Sequence, residues 1–327
     1  MRVMRRIEME WLPVGIKVIA ELDDGPNKHL ADLFWNQLPY CSLQNHALVS
    51  GHHLYHLVPC AELVYAEAGH KVDRTKSPDG TLYLSQLQHL AIKYGPLSEY
   101  IPAAPVGRVI AEHLPRLREA GQACWNAAYR SKQIVQVRIR PEGKPGWDFS
   151  LARYECPDNP AVNALAARIQ DETAAIWIDP PREILNIHRG DIRSEAGSYD
   201  QYFSTLVFVN GETRSLGYNN LNGLVRLSKK ESLSLEALCE AARMYIGTSA
   251  EFLGYCGLDN LWTFTQETLA ILPQLRTKQQ FTALIGSLAL YANVLNTWNL
   301  QYFPWKHGSE YPARSSASGG GPAQAAQ

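Results

Sequence analysis

Short runs in which apolar and polar residues alternate dominate the first two thirds of the chain. Alternation on both sides of Pro13-Val14-Gly15 predicts a β-hairpin over Glu8 to Leu22. The Asn210-Gly211 pair between two later runs is a strong signal for a hairpin turn. The other predicted strands are Ala47 to Ser50, Leu54 to Val58, Leu82 to Tyr94, Gln133 to Arg140, Glu183 to Arg189, Tyr202 to Asn210 and Glu212 to Tyr218.

Helical spacing of apolar residues predicts a second group of segments. Asn27 can cap a short helix that ends at Pro39, and Asn159-Pro160 opens another helix because proline suits the first helical position. Thr277 and Gln280 form a capping-box pattern before the longest helical segment. The remaining predicted helices are Ala111 to Tyr129, Leu233 to Tyr245, Leu258 to Leu272 and Phe281 to Trp298.

Composition changes along the chain and divides it into three parts. Strands with inserted helices occupy residues 1–227, and helical segments occupy residues 228–308. Residues 309–327 are rich in serine, glycine, alanine and proline, which predicts a disordered tail.

Charge and cysteine content restrict the class of protein. The formal net charge is −1, so no global field favours nucleic acid or an anionic membrane, and we expect a small-molecule or protein partner. The six cysteines are scattered without a CxxC pair, and no apolar signal segment precedes them, which predicts a reduced, cytoplasmic location. The sequence has no GxGxxG, GxxxxGK[ST] or GxSxG motif, so we predict a reaction without nicotinamide or ATP.

Two stretches place His, Lys or Tyr among apolar strand residues, as the lining of a barrel pocket requires. They are Leu38 to Pro59 (LPYCSLQNHALVSGHHLYHLVP) and Leu87 to Val109 (LQHLAIKYGPLSEYIPAAPVGRV). Lys93 and Tyr94 end an apolar run in the second stretch. Lys93 can hold a substrate carboxylate or move a proton, or its stem can cover apolar surface while its ammonium reaches water.

The first stretch contains four histidines, His46, His52, His53 and His56. Residues four apart on a strand lie roughly 13 Å from each other and cannot share a metal ion, so we predict no metal site. Most of these histidines are expected to cap turns or lie on the surface, and His46 and His53 are the candidates for the pocket.

A third candidate cluster lies within Glu183 to Asn220. On a strand, alternation would place Glu183 on one face and His188 on the other, and Glu212, Arg214 and Tyr218 on a shared face. An adjacent Arg and Glu can clamp a carboxylate and move a proton, or they can form a structural cross-strand salt bridge.

These stretches, together with EILNIHRGDI and FVNGETRSLGYNNLNGL, resemble the cyclophilin-like small-barrel family, and in particular cucumopine and mikimopine synthases, the opine-forming enzymes of root-inducing agrobacteria. The resemblance implies an α+β fold with a cyclophilin-like small β-barrel domain followed by an α-helical bundle. It also implies a cofactor-independent Pictet-Spengler reaction of L-histidine with 2-oxoglutarate that gives cucumopine or mikimopine.

The implied chemistry assigns roles by residue type. The cations Lys93, Arg189 and Arg214 are candidates for binding carboxylates, and Tyr94 or His188 for the acid that releases water. Glu183 or Glu212 is the candidate base, provided that burial raises its pKa towards neutrality. His46, His53 and Tyr218 complete the predicted substrate-binding set.

Two other functions remain open at this stage. The same barrel hosts peptidyl-prolyl isomerases, and it also hosts binding modules for small molecules or peptides that have no catalytic activity. The C-terminal bundle is assigned to packing over the barrel or to formation of a homodimer.

Overall fold

A computed structural model describes residues 5–146, 149–151, 153–156, 158–190 and 202–303. The predicted tail lies outside the described residues. The strands are β1 (Arg6–Leu12), β2 (Ile16–Leu22), β3 (Tyr40–Leu43), β4 (Asn45–His46), β5 (Gly51–Leu57), β6 (Val72–Asp73), β7 (Thr81–Leu84), β8 (His89–Leu97), β9 (Pro102–Val109) and β10 (Gln136–Pro141).

The strands form an antiparallel, nearly closed barrel in the order β3-β10-β1-β2-β9-β7-β8-β5-β4, with β6 paired to β9. The strands at the two ends of this order, β3 and β4, follow each other in the chain and are separated only by Gln44. A single residue therefore joins the two edges of the sheet.

Gln44 is buried, and its side chain and backbone form hydrogen bonds with neighbouring strands. The junction of β3 and β4 at Gln44 is called the Gln44 seam below. Its side-chain oxygen accepts from the indole N–H of Trp11 at 2.8 Å, and its amide donates to the carbonyls of Asn45 and Tyr55, both at 2.9 Å. Its backbone N–H donates to Val135 O at 2.8 Å. These bonds hold the closing strands in register.

Strand alternation separates two faces of the barrel, as the sequence pattern predicts. Side chains such as Met9, Trp11 and Leu54 point inwards and form the barrel core. Helices α1 (Lys28–Asn36) and α2 (Leu114–Asn126) cover this core. The predicted hairpin over Glu8 to Leu22 is confirmed by β1 and β2.

After β10, the regular elements of the described residues are all helical. The helices are α3 (Pro160–Ala175), α4 (Arg182–Arg189), α5 (Tyr202–Arg214), α6 (Asn222–Ser228), α7 (Leu235–Tyr255), α8 (Asp259–Ile271) and α9 (Lys278–Tyr302). A π-helical segment, Ser215–Leu221, joins α5 to α6. The mostly buried helix α9 packs against α3, α5, α6 and α8 and forms the centre of this bundle. The predicted boundary at residue 227 falls within α6.

Three predicted strands in this region are wrong, because Glu183 to Arg189, Tyr202 to Asn210 and Glu212 to Tyr218 are helical. The Asn210-Gly211 pair lies inside α5 and forms no hairpin turn.

The cause of this error is that β-branched and aromatic residues imitate a strand over short windows. The buried positions Leu206, Val209, Thr213 and Leu216 recur at three- and four-residue intervals, which is the spacing of a helix that packs on α9. The predicted strand Ala47 to Ser50 is also wrong, since these residues form the loop between β4 and β5.

The predicted cap at Thr277 and the predicted helix start at Asn159-Pro160 are confirmed, whereas the predicted cap at Asn27 is wrong because its side chain accepts no hydrogen bond from α1. The Thr277 hydroxyl accepts from Gln280 N–H at 3.2 Å, and the Asn159 side chain accepts from Val162 N–H at 3.3 Å. Among the helices of the described ranges, none is long and apolar enough to cross a membrane.

The bundle docks on the barrel beside the Gln44 seam. The Gln301 amide of α9 donates to Gln44 O at 3.0 Å and to Asn45 Oδ1 at 2.6 Å, and the Trp177 indole donates to Cys41 O at 2.7 Å. Three apolar side chains of the first part, Leu43, Leu57 and Val64, belong to the core of the bundle. The two parts therefore share buried surface.

Glu183 connects two helices of the bundle. Its side chain accepts from the Asn260 N–H in the first turn of α8 at 2.9 Å and takes the place of a capping side chain there. Burial raises the pKa of Glu183 to about 7 from its ordinary value of 4.5.

We predict that Gln44→Ala lowers the free energy of unfolding by about 2–4 kcal/mol, because it leaves several buried polar groups without a partner. Urea unfolding followed by circular dichroism measures this change. The matched control is Gln122→Ala, whose amide lies exposed on α2, and we expect a change below about 0.5 kcal/mol. Equal stability of the two variants would contradict the role of Gln44 in closing the barrel.

We predict that Glu183→Gln stabilises the protein at pH 8 but not at pH 4. Because the pKa of Glu183 is raised, folding favours the protonated carboxyl. The contribution of this group to stability is complete below about pH 4.5 and is lost as the pH rises through 7, whereas the uncharged Gln side chain does not lose it. The gain at pH 8 is about 1 kcal/mol, since part of the side chain reaches solvent. Thermal unfolding at both pH values measures it, with exposed Glu251→Gln as the control. A gain that does not depend on pH would refute this explanation.

Candidate active site

A cavity of about 610 Å³ lies between the outer face of the barrel and the bundle. Its floor is the outer face of β5, β7 and β8, where alternation directs His53, Tyr55, Tyr83, His89 and Ala91 away from the barrel core. The volume falls within the usual range for sites that bind small molecules.

The bundle completes the cavity. Asn210 and Arg214 of α5, Tyr218 of the π-helical segment and Leu300 of α9 line its far side. Gly217 allows this approach, since a Cβ at that position would lie 2.2 Å from Asn293 Oδ1. A π-helical turn is uncommon and is often found at functional sites.

Four aromatic rings form a continuous row across the cavity. Ring centroids of His53 and Tyr55 lie 6.0 Å apart, those of Tyr55 and His89 lie 4.9 Å apart, and those of His89 and Tyr218 lie 5.1 Å apart. His89 Nε2 and the Tyr218 hydroxyl are hydrogen-bonded at 2.8 Å, which joins barrel to bundle within the site.

An ion pair between Arg74 and Glu99 forms one side of the cavity. Arg74 follows β6, which pairs with the start of β9, and Glu99 lies in the loop between β8 and β9. The guanidinium donates to the carboxylate at 2.5 Å. Among the described residues that line the cavity, Glu99 has the only carboxylate, whereas Lys71, Arg74 and Arg214 bring positive charge.

Several polar atoms around the cavity have no hydrogen-bond partner among the described residues. They include His53 Nδ1, Arg74 Nε and Asn210 Oδ1, and each of these atoms is buried. Buried polar groups are normally hydrogen-bonded, and these atoms can bond to a polar ligand in the cavity.

Burial controls the protonation of the ring nitrogens and the phenol. It lowers the pKa of His53 and of His89 to about 3, with a further contribution from the Arg74 charge at His53 and from the Arg214 charge at His89. Burial also raises the pKa of Tyr218 to about 12. At neutral pH the row therefore consists of neutral rings that donate and accept hydrogen bonds.

Three of the residues predicted from sequence line the cavity, namely His53, Arg214 and Tyr218. Arg214 lies over the Tyr218 ring with its guanidinium carbon 5.9 Å from the centroid.

His46, Tyr94 and Lys93 do not line the cavity. The Tyr94 hydroxyl lies 2.6 Å from His46 Nε2, and His46 Nδ1 lies 2.6 Å from Ala47 O. Because a carbonyl only accepts, Nδ1 carries the proton and Nε2 accepts from the hydroxyl. Burial lowers the pKa of His46 to about 4. The ammonium of Lys93 donates to backbone carbonyls.

The other four predicted residues lie in the bundle and outside the lining of the cavity. Glu183 caps α8, and the Glu212 carboxylate accepts from the Ser249 hydroxyl at 3.3 Å. His188 Nε2 lies 3.0 Å from Asn299 Oδ1, and Arg189 ends α4 as an exposed side chain.

Sequence reasoning missed Arg74, Glu99 and His89. Alternation along the predicted strand Leu82 to Tyr94 places His89 on the same face as Lys93, so that signal was present in the sequence. Arg74 and Glu99 lie in loops without periodicity, and no local pattern distinguishes them from surface charges.

No group of three or more His, Cys, Asp or Glu side chains suited to a metal ion occurs in the described part of the chain. All six cysteines are buried and unpaired.

Comparison with known proteins places these features in a family. Residues 162–302 match the family model "Cucumopine synthase C-terminal helical bundle domain". A search of curated proteins gave no significant match. A solved structure described as McbB in complex with tryptophan superposes with a TM-score of 0.90, and the two chains are 58% identical over 93% of this chain and 98% of that chain. Given such identity over nearly the full length of both chains, this protein belongs to the family of McbB, and its C-terminal part is similar to the helical bundle domain of cucumopine synthases.

Proposed function

We propose that this protein is a Pictet-Spengler cyclase that joins an aromatic α-amino acid to a carbonyl compound in the cavity between barrel and bundle. The observation that carries the proposal is the composition of this cavity. Glu99 paired with Arg74, further cations and a row of neutral aromatic rings line one space of sufficient volume for two small substrates.

Tryptophan is the amino acid that the family relationship favours, since McbB at 58% identity forms a complex with it. The apolar part of the lining, including Leu30, Leu63 and Leu84, suits an indole ring. L-Histidine with 2-oxoglutarate is the second candidate pair, supported by the cucumopine synthase model of the bundle. Both amino acids carry a nucleophilic ring carbon at the distance from the amine that a six-membered ring closure requires.

The first stage joins the amine to the carbonyl carbon and releases water. Carboxylates of the substrates would pair with Arg74, Arg214 or Lys71, which surround the space with positive charge. The neutral pair of His89 and Tyr218 would hydrogen-bond the departing oxygen, and both hydrogens of the released water would come from the ammonium group of the amino acid. This stage leaves a cationic imine beside the carboxylate of Glu99.

The second stage forms a carbon–carbon bond and then removes a proton. The ring carbon of the amino acid attacks the imine carbon, and the aromatic rings of the row hold the two partners face to face. Glu99 then accepts the proton from the attacked ring carbon, which restores aromaticity. The product has the mass of both substrates minus one water, and no electrons are gained or lost overall, so the proposed reaction needs no nicotinamide.

We predict that the purified protein, incubated with tryptophan and 2-oxoglutarate or pyruvate, forms a product of the summed mass minus one water. Parallel incubations replace tryptophan with L-histidine. Liquid chromatography with mass detection compares active and heat-inactivated protein. The proposal would be contradicted if no product formed with tryptophan or with L-histidine over a range of 2-oxo acids and 2-oxo aldehydes.

We predict that Glu99→Gln lowers kcat by about 100-fold or more, because the amide cannot accept the ring proton. Binding of the amino acid, measured by calorimetry, should change much less than turnover. The matched control is Glu67→Gln, whose exposed carboxylate pairs with Lys230 on the surface, and its kcat should equal that of the wild type. A Glu99→Gln variant with wild-type kcat would remove Glu99 from the mechanism.

A further inference from the structure

We infer that Lys93 is a positioning residue. Its ammonium binds the loop that contains Arg74 and holds this loop against the floor of the cavity. This contact fixes the ion pair of Arg74 with Glu99. The inference rests on the proposed function, since it explains how that site is held in shape. It assigns to Lys93 a role that differs from the carboxylate binding or proton transfer predicted from sequence.

The contacts of the Lys93 side chain are made with one short loop. The residue is only 4% exposed, and its Nζ donates to three backbone carbonyls, those of Arg74 at 3.1 Å, Thr75 at 2.9 Å and Ser77 at 2.6 Å. An ammonium group has three N–H donors and no acceptor. All three donors are therefore engaged, and none remains for a substrate carboxylate.

The position of Lys93 connects this loop to the rigid part of the site. Lys93 lies in β8 directly opposite His53 of β5, so it belongs to the same strand pair that forms the floor of the cavity. The strand pairing fixes the Lys93 backbone. The hydrogen bonds of its ammonium then hold the loop carbonyls at a fixed place relative to the strand.

The loop needs an external donor because its carbonyls converge on one point. A turn at Asp73 shapes the loop, with Asp73 Oδ1 accepting from the Thr75 N–H at 2.9 Å and from the Thr75 hydroxyl at 2.6 Å. The carbonyls of residues 74, 75 and 77 then point towards the same buried position. Without the ammonium, these buried acceptors lose their partner and repel one another, which favours a different loop conformation.

Arg74 would transmit this change to the site. Its side chain is largely buried, pairs with Glu99 and has an unpartnered Nε among the described residues at the cavity. A shift of about 1 Å in its backbone is enough to break the alignment of a charge-assisted hydrogen bond. Lys93 thus acts on the reaction through Arg74.

The test is a double-mutant cycle on kcat/KM with Lys93→Met, Arg74→Ala and the double variant. We expect Lys93→Met to lower kcat/KM by at least about tenfold in the wild-type background and by less than about threefold in the Arg74→Ala background. A lysine that only stabilises the fold would cause the same loss in both backgrounds, and that result would overturn the inference. The matched control is Lys76→Met, an exposed lysine of the same loop, with kcat/KM equal to the wild type.

A second measurement is independent of turnover. Hydrogen–deuterium exchange of residues 72–79 should become at least about tenfold faster in Lys93→Met than in Lys76→Met, while exchange in β1 and β2 stays unchanged. Equal exchange of the loop in the two variants would overturn the inference. If the wild type forms no product, the proposed function fails, but the exchange result still decides whether Lys93 holds the loop.

If Lys93→Met does not fold, Thr75→Val tests the same loop without changing Lys93. This change removes the hydroxyl that donates to Asp73 and keeps the barrel core intact. We expect it to lower kcat/KM severalfold with Arg74 present and to have no further effect in the Arg74→Ala background. Equal losses in both backgrounds would refute the connection between loop and ion pair.

Discussion

The docking of the helical bundle on the outer face of the barrel is the constraint on which the site depends. The barrel supplies His53, His89 and Glu99, and the bundle supplies Arg214 and Tyr218, so neither part contains the cavity alone. The hydrogen bond between His89 and Tyr218 crosses this junction inside the cavity.

The same docking depends on closure of the barrel. Gln301 of α9 donates to the carbonyl of Gln44, the residue that joins the two edges of the sheet. Barrel closure, bundle docking and cavity shape are thus connected through adjacent hydrogen bonds. The bundle therefore completes the candidate active site, in addition to the packing role predicted for it.

Burial gives the cavity an electrostatic character that suits the proposed reaction. The histidines are neutral because desolvation lowers their pKa values, so the nearby charges are those of Glu99 and the surrounding cations. A cationic imine would form beside the carboxylate, and substrate carboxylates would meet Arg or Lys. Charges in a partly enclosed site interact more strongly than they do in water, which favours this separation of roles.

The first hairpin of the barrel could be predicted from sequence, because the alternation before Leu22 is long and clear. The predicted strand Leu82 to Tyr94 is wrong as a single strand, since it forms β7 and β8, which pair antiparallel on either side of residues 85–88. The resemblance to a known family implied the α+β class, and later helices were predictable because Thr277 gives a capping signal and Asn159-Pro160 marks a helix start. The segment from Glu183 to Tyr218 was misread because β-branched and aromatic residues occupy helix positions that pack on α9.

The site was predictable only in part, for a physical reason. His53, Arg214 and Tyr218 lie in clusters that composition and spacing singled out, whereas Arg74 and Glu99 lie in loops whose positions depend on tertiary contacts. Only the folded chain shows that these loops bring an arginine and a glutamate together beside the aromatic row. Lys93 was singled out from sequence, but its contacts could not be predicted. A buried lysine on a strand gives the same sequence pattern whether its ammonium binds a substrate or backbone carbonyls.

The most direct test of the central claim is a crystal structure of the protein with tryptophan and an unreactive analogue of the carbonyl substrate. The account predicts density for both molecules in the cavity, with the reacting ring carbon within about 3.5 Å of the Glu99 carboxylate. Tryptophan bound elsewhere, or bound in the cavity with its ring turned away from Glu99, would contradict the account.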